Sequence, residues 1–180
     1  MKTLTLLRHA KSQWDDTVPR DFDRPLNAKG ARAARTVGRH MREAGMAFDR
    51  VIASPAVRVV QTLDGVWDGL GRPMTPVWDK RIYLASAATL CDLVRETADD
   101  VGSLLLAGHN PGLEDLVLLL VPDRPEDRLR DDVEEKFPTA SLAELQFAVD
   151  RWADIDAGGG VLARFVRPRD LDPALGPGRE

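Results

Sequence analysis

The sequence predicts an α/β fold: a mostly parallel sheet covered by helices on both faces. Two patterns predict it. Short apolar runs of strand length recur along the chain, and segments with apolar residues three and four apart lie between them. That βαβα order fits parallel strands joined by crossover helices. A third observation bounds the answer. A chain of 180 residues, 43% hydrophobic and 30% charged, makes one domain whose core needs neither disulfides nor metals.

The elements follow in order. Residues 4–7 form a buried first strand. The run from Met1 to Leu7 starts as a secretory signal does, but Arg8-His9 ends it too early, and no stretch reaches the roughly 18 apolar residues of a membrane span. Ala28–Glu43 puts Ala31, Ala34, Val37 and Met41 on one helix face, with Asn27 as cap and Gly45 as stop. Arg50–Ala53 is the second strand. Residues 55–70 carry Val59, Thr62, Leu63, Val66 and Leu70 at helical spacing. Residues 74–78 make a weak third strand whose Pro73 and Pro76 place it at an edge. A helix over residues 87–98 follows Ser86 as its cap. Residues 104–107 form the fourth strand, and residues 112–121 a helix after Asn110-Pro111. Residues 123–136 read as a surface connection, partly helical. Residues 141–149 and 161–166 form two more strands able to pair antiparallel. Residues 1–166 then constitute a single domain, and residues 167–180, rich in proline and glycine, a loosely held C-terminal tail.

Charge and cysteine narrow the function. A net charge of -4 argues against a general nucleic-acid binder, which needs a basic excess. The one cysteine, Cys91, allows no internal disulfide and belongs to no CxxC motif, which fits a cytoplasmic setting.

Three strand ends carry the chemistry. The first runs into Arg8-His9, the second into Ser54-Pro55 with Arg58 following, and the fourth into Gly108-His109-Asn110-Pro111-Gly112. Sites in open α/β sheets form at the carboxyl ends of strands. Ser54-Pro55 and Asn110-Pro111 read as helix starts, which aim free N–H groups at an anion. Arg8 and Arg58 add forked donors that match phosphate oxygens. One imidazole can attack phosphorus while a second donates to the transferring group. Each piece alone has a plainer reading: a snorkelling arginine, a solvated helix residue, a structural histidine. Their joint occurrence at successive strand ends points to a phosphate site. No cofactor is implied and no metal is required, since His40, exposed mid-helix, completes no ligand set with His9 and His109.

Leu7-Arg8-His9-Ala10-Lys11-Ser12, Arg24-Pro25-Leu26 with Gly30, Ser54-Pro55 through Arg58, Gln61 and Thr62, and Gly108-His109-Asn110-Pro111 resemble the motifs of the histidine phosphatase superfamily, also called phosphoglycerate mutase-like. The motif order and short chain are most similar to the SixA phosphohistidine phosphatases. The resemblance implies a three-layer α/β/α sandwich with a mostly parallel six-stranded sheet and one antiparallel strand. It implies His9 as nucleophile, with Arg8, Arg58 and His109 completing a phosphate pocket. His109 is then most useful protonated, a state that nearby carboxylates would favour. Ser12 would add a hydroxyl or merely shape the loop. Arg24 would contact substrate at the rim or pair with Asp21 or Asp23. Asn110 would join the substrate-binding set.

One departure matters. Many relatives carry a glutamate after the third strand as general acid. Here the segment reads Val77-Trp78-Asp79-Lys80-Arg81-Ile82-Tyr83, and Asp79 is the nearest carboxylate. An acid is needed most for a poor alkoxide leaving group. Its loss leans toward the labile P–N bond of phosphohistidine. The resemblance therefore implies a metal-independent phosphatase acting through a phosphohistidine intermediate on a phosphorylated protein. The alternatives are a small-molecule phosphomonoesterase and a non-catalytic phosphate-binding module. No nucleic-acid or membrane partner is expected. Trp14 is placed at the rim, Trp67 and Trp78 under the sheet, and Cys91 in a helix core. With only residues 77–102 between the third and fourth strands, the pocket should be shallow and open.

Overall fold

The computed structural model describes residues 1–14 and 17–177. β1 (Lys2–Arg8) leads to α1 (Ala28–Glu43), β2 (Arg50–Ala53) and α2 (Val57–Leu70). β3 (Val77–Trp78), α3 (Ala87–Arg95), β4 (Ser103–Gly108) and α4 (Gly112–Leu120) follow. α5 (Arg128–Glu135), β5 (Leu142–Phe147), β6 (Gly160–Val166) and the short α6 (Pro168–Leu171) complete the chain. The sheet order is β3-β2-β4-β1-β5-β6. β1 pairs parallel with β4 and antiparallel with β5, and β6 turns back antiparallel on β5. Among the described strands β5 alone runs against the rest, which is the expected single antiparallel strand.

The apolar runs bury both faces of the sheet. Leu4, Leu6, Leu104 and Leu106 point into a core closed by α3, α4 and Val133 of α5. Leu7, Leu105 and Ala107, one residue out of phase, point into a second core with α1 and α2. This period-2 split over two helix layers explains the continuous apolar character of the central strands. Among the described residues no helix is long and apolar enough to cross a membrane.

Several elements differ from expectation. α2 starts at Val57, after Ala56, and α3 ends at Arg95. β3 is only two residues long, so Trp78 sits on an edge and is 44% exposed instead of lying under the sheet. Trp67 does pack against the α1–α2 core, and Cys91 is buried. His40 is half-buried, not exposed.

Residues 123–136 are the expected surface connection, helical over Arg128–Glu135, and they are anchored to α4. Arg130 of α5 is buried, and its guanidinium donates to the carbonyls of Val121 (2.9 Å) and Leu118 (3.3 Å), which α4 leaves open at its end. The tail is also docked, as far as residue 177. Pro168 and Pro173 start short helical turns, and Leu171 and Leu175 pack on the α1–α2 core. The apolar residues that fix it are four apart, a spacing that the proline-rich composition obscures. Residues 178–180 lie outside the described residues.

Candidate active site

The strand order makes the three motif-bearing strands neighbours, and the register aligns their ends. Arg8 pairs with Gly108 and Ala53 with Ala107. His9, Ser54 and His109 therefore leave the sheet side by side at its carboxyl edge, where an open α/β sheet makes its crevice.

His9 is buried, and its Nδ1 lies 2.7 Å from the carbonyl oxygen of Ala10. A carbonyl only accepts, so Nδ1 carries the proton and Nε2 holds the lone pair. Burial, reinforced by Arg8, Arg58 and Arg24 and opposed by the Ala10 bond, pushes the His9 pKa down to about 4. The ring is neutral at physiological pH.

His109 lies with its ring centroid 5.4 Å from that of His9. Arg58 Nη2 is 3.3 Å from its Nδ1, and its Nε2 is 2.8 Å from Ser54 Oγ. A guanidinium only donates, so Nδ1 accepts and Nε2–H donates to the serine. Burial, then Arg58 and His9, push its pKa down to about 3 against the opposing charge of Asp21. Carboxylates do not hold it protonated, as had been expected: one acid acts in that direction and is outweighed. An anion bound in this cavity would favour the imidazolium, whose Nε2–H already has an acceptor in Ser54.

Ser54 thus corrects its expected role as helix cap. Its Oγ accepts weakly from Ala56 N at 3.3 Å, but α2 begins later without a side-chain cap, and the hydroxyl serves His109.

The arginines are braced. Arg58 donates from Nη1 to the Asp21 carbonyl (2.8 Å) and from Nη2 to Asp21 Oδ2 (3.0 Å). Arg8 donates from Nη1 to the Phe137 carbonyl at 2.9 Å. The Nε atoms of both arginines are buried without a hydrogen-bond partner among the described residues.

Arg8, His9, Arg58 and His109 line a cavity of about 390 Å³ with the other three expected site residues, Ser12, Arg24 and Asn110. Ser12 is held in a two-residue bridge with Leu26. Arg24 makes the expected ion pair, its Nε 3.2 Å from Asp21 Oδ1, and it lines the cavity with its guanidinium 5.3 Å from the centre of the Trp14 ring. Asn110 is committed to the scaffold, since its Nδ2 donates to the same Phe137 carbonyl as Arg8 and its Oδ1 accepts from Glu114 N.

The remaining motif residues hold these loops together. Thr62 Oγ1 accepts from Ala10 N (2.8 Å) and donates to Arg58 O (2.6 Å), tying the loop after β1 to α2. Gln61 Oε1 accepts from Leu26 N at 2.8 Å, next to Arg24. A Cβ at Gly30 would meet Lys11 O at 2.1 Å, and one at Gly112 would meet Ala85 O at 2.1 Å. Only glycine lets those loops close on α1 and α4.

Two residues escaped the sequence reading. Tyr83 donates its hydroxyl to Asp21 Oδ2 (2.5 Å) and sets its ring at 85° to His109 with centroids 5.3 Å apart. Asp21 was seen only as a partner for Arg24, yet it also orients Arg58. Burial raises its pKa, but the bonds from Tyr83 and Arg58 and the arginine charges prevail and hold it below the usual carboxylate range. Its sequence signal was its place three residues before Arg24. Asp79, the candidate acid, does not line the cavity. Arg81 binds its carboxylate at 2.7 Å and lowers its pKa, the wrong direction for an acid. Among the described residues no three His, Cys, Asp or Glu side chains gather as a metal site.

Arg8, His9 and His109 at adjacent parallel strand ends, with Arg58 in the first turn of α2, define an α/β protein suited to handling phosphate. Comparison with known proteins agrees. Residues 4–81 match the histidine phosphatase superfamily (branch 1). The uncharacterized protein Rv1276c of Mycobacterium tuberculosis is 35% identical over 164 residues, which span 91% of this chain and 100% of that one. A structure assigned to the phosphohistidine phosphatase SixA of Nakamurella multipartitia superposes with a TM-score of 0.81 at 28% identity, covering 93% of this chain and 96% of that one. Another assigned to SixA, from Agrobacterium tumefaciens, gives 0.75 at 28% identity, covering 93% and 98%. The chain belongs to the histidine phosphatase superfamily.

Proposed function

We propose that this chain is a metal-independent phosphatase that works through a phosphohistidine intermediate and removes phosphate from phosphohistidine on a protein. One observation carries the reading: His9 is neutral, its Nδ1–H is fixed on Ala10 O, and its Nε2 lone pair is free among Arg8, Arg58 and Arg24. The Nε2 lone pair attacks phosphorus and the bond to the leaving group breaks. Arg8, Arg58 and an imidazolium at His109 stabilise charge on the equatorial oxygens. Water then attacks phosphorus, releasing inorganic phosphate and returning the lone pair to His9.

The leaving group follows from the acids present. Asp79 is tied to Arg81, and Asp21 is held ionised, so neither protonates an alkoxide. An imidazole protonated on its other nitrogen leaves as a neutral ring and needs no enzymic proton. The rim supports a protein partner, since Trp14 is 67% and Leu84 56% exposed.

The test is turnover in EDTA of a phosphohistidine protein against a simple alkyl phosphate. A kcat/KM about 10²-fold higher for the P–N substrate is expected, the scale of general-acid assistance that the alkyl ester would miss. Equal or better use of the alkyl phosphate establishes the small-molecule reading instead. Turnover of neither leaves a phosphate-binding module.

A further inference from the structure

A second cavity, of about 350 Å³, adjoins the catalytic one and shares Arg8, Lys11 and Thr139 with it. Its lining is sharply one-signed. Arg8, Lys11, Lys29, Lys136, Arg167 and Arg169 contribute six cations, and among the described residues no carboxylate lines it, in a chain with 29 acidic and 25 basic residues. They come from the loop after β1, the first turn of α1, the segment after α5 and the docked tail.

Part of this charge is answered elsewhere. Arg167 pairs with Asp170 at 3.0 Å and also feels Asp132 and Glu135, and Lys29 donates to the Gly176 carbonyl. The side chains of Lys11 and Lys136 have no hydrogen-bond or ion-pair partner among the described residues. Arg169 has only the electrostatic influence of its neighbour Asp170. Unanswered like charges in one concavity repel each other and concentrate the potential felt by an anion. Leu175, Ala33 and Pro177 give the same cavity an apolar wall.

We infer that this cavity binds a second anionic group, phosphate or carboxylate, of the molecule whose phosphoryl group occupies the catalytic pocket. The inference rests on the proposed phosphatase function and names its substrate class: a substrate with two separate anionic groups joined by a short linker lying over Arg8. A substrate whose phosphoryl group is its one anionic group leaves the second cavity unused.

The test is calorimetric titration of the full chain with α,ω-alkanebisphosphonates of increasing length and with the matching alkylphosphonate. None of these ligands can be hydrolysed, so binding is read without turnover. At one linker length the bisphosphonate should bind about tenfold or more tightly than the monophosphonate, the effect expected of one added charge-assisted contact. Lys136→Gln with Arg169→Gln should abolish that gain. Lys136 is exposed and Arg169 half-buried with no ion-pair contact of its own among the described residues, so monophosphonate affinity and thermal midpoint should stay unchanged. A second arm compares phosphohistidine peptides flanked by glutamate or by alanine. A glutamate preference lost in the variant assigns the second anion to a protein substrate, and a gain confined to bisphosphonates assigns it to a small molecule. No gain at any length, or a gain that survives in the variant, overturns the inference. Tight bisphosphonate binding without turnover of any phosphate would break the phosphatase reading and leave this one standing.

Discussion

The two adjoining cavities hold the same kinds of side chain in opposite conditions. In the catalytic cavity the four motif side chains are braced: Arg58 by Asp21, Arg8 by Phe137, His9 by Ala10, His109 by Ser54. In its neighbour the side chain of Lys136, and that of Lys11 on the boundary the two share, have no partner among the described residues. The difference separates two tasks. Stabilising a transition state demands donors fixed before the reaction, whereas capturing a distal anion tolerates long, mobile side chains.

That contrast can be broken by mutation. The largest effect belongs to the nucleophile: His9→Ala should cut phosphohistidine turnover by about 10³-fold or more while inorganic phosphate still binds, as titration would show. Next, Arg58→Ala should lower kcat about 10²- to 10³-fold, the range for losing a preorganised donor to the transferring group. Ser54→Ala should cost about tenfold in kcat, since the His109 imidazolium loses the acceptor for its Nε2–H. An unchanged kcat would show that the serine is only part of a helix start. The smallest effect falls on the loose cavity, where Lys136→Gln with Arg169→Gln should leave p-nitrophenyl phosphate turnover within about twofold, as exposed charges contribute little.

Burial of the two histidines also leaves a signature in stability. His9 and His109 have folded pKa values of about 4 and about 3 against an ordinary 6.5. As pH falls below 6.5 the unfolded chain takes up protons that the folded chain refuses, so stability falls toward pH 4. The two buried rings together account for a loss on the order of a few kcal/mol. His40, also lowered, adds in the same direction. Urea midpoints between pH 7 and 4.5 should show this slope, and His109→Asn should flatten it. A slope unaltered in the variant would mean that His109 titrates normally.

The catalytic cavity was legible because each of its parts is a short motif at a strand end, and parallel neighbours bring strand ends together. Arg8-His9, Arg58 and His109 needed no tertiary knowledge beyond that rule. Asp21 and Tyr83 were harder, since they lie 62 residues apart and meet only through a hydroxyl on a carboxylate. Ser54 was misread because Ser-Pro is an ordinary helix start, and nothing local tells a capping hydroxyl from one aimed at an imidazole. The second cavity was not legible at all. Lys29, Lys136 and Arg169 belong to separate segments, and the tail that walls them in looked too rich in proline to dock. A pocket expected to be shallow and undiscriminating thus has a charged annex built by that tail.

The most direct test of the account is a rapid quench of the full chain during turnover of labelled phosphohistidine or p-nitrophenyl phosphate, followed by peptide mapping. The account predicts acid-labile, base-stable phosphate on His9 and none in His9→Ala. Steady turnover with no label on the protein, or with the label on another residue, would contradict it.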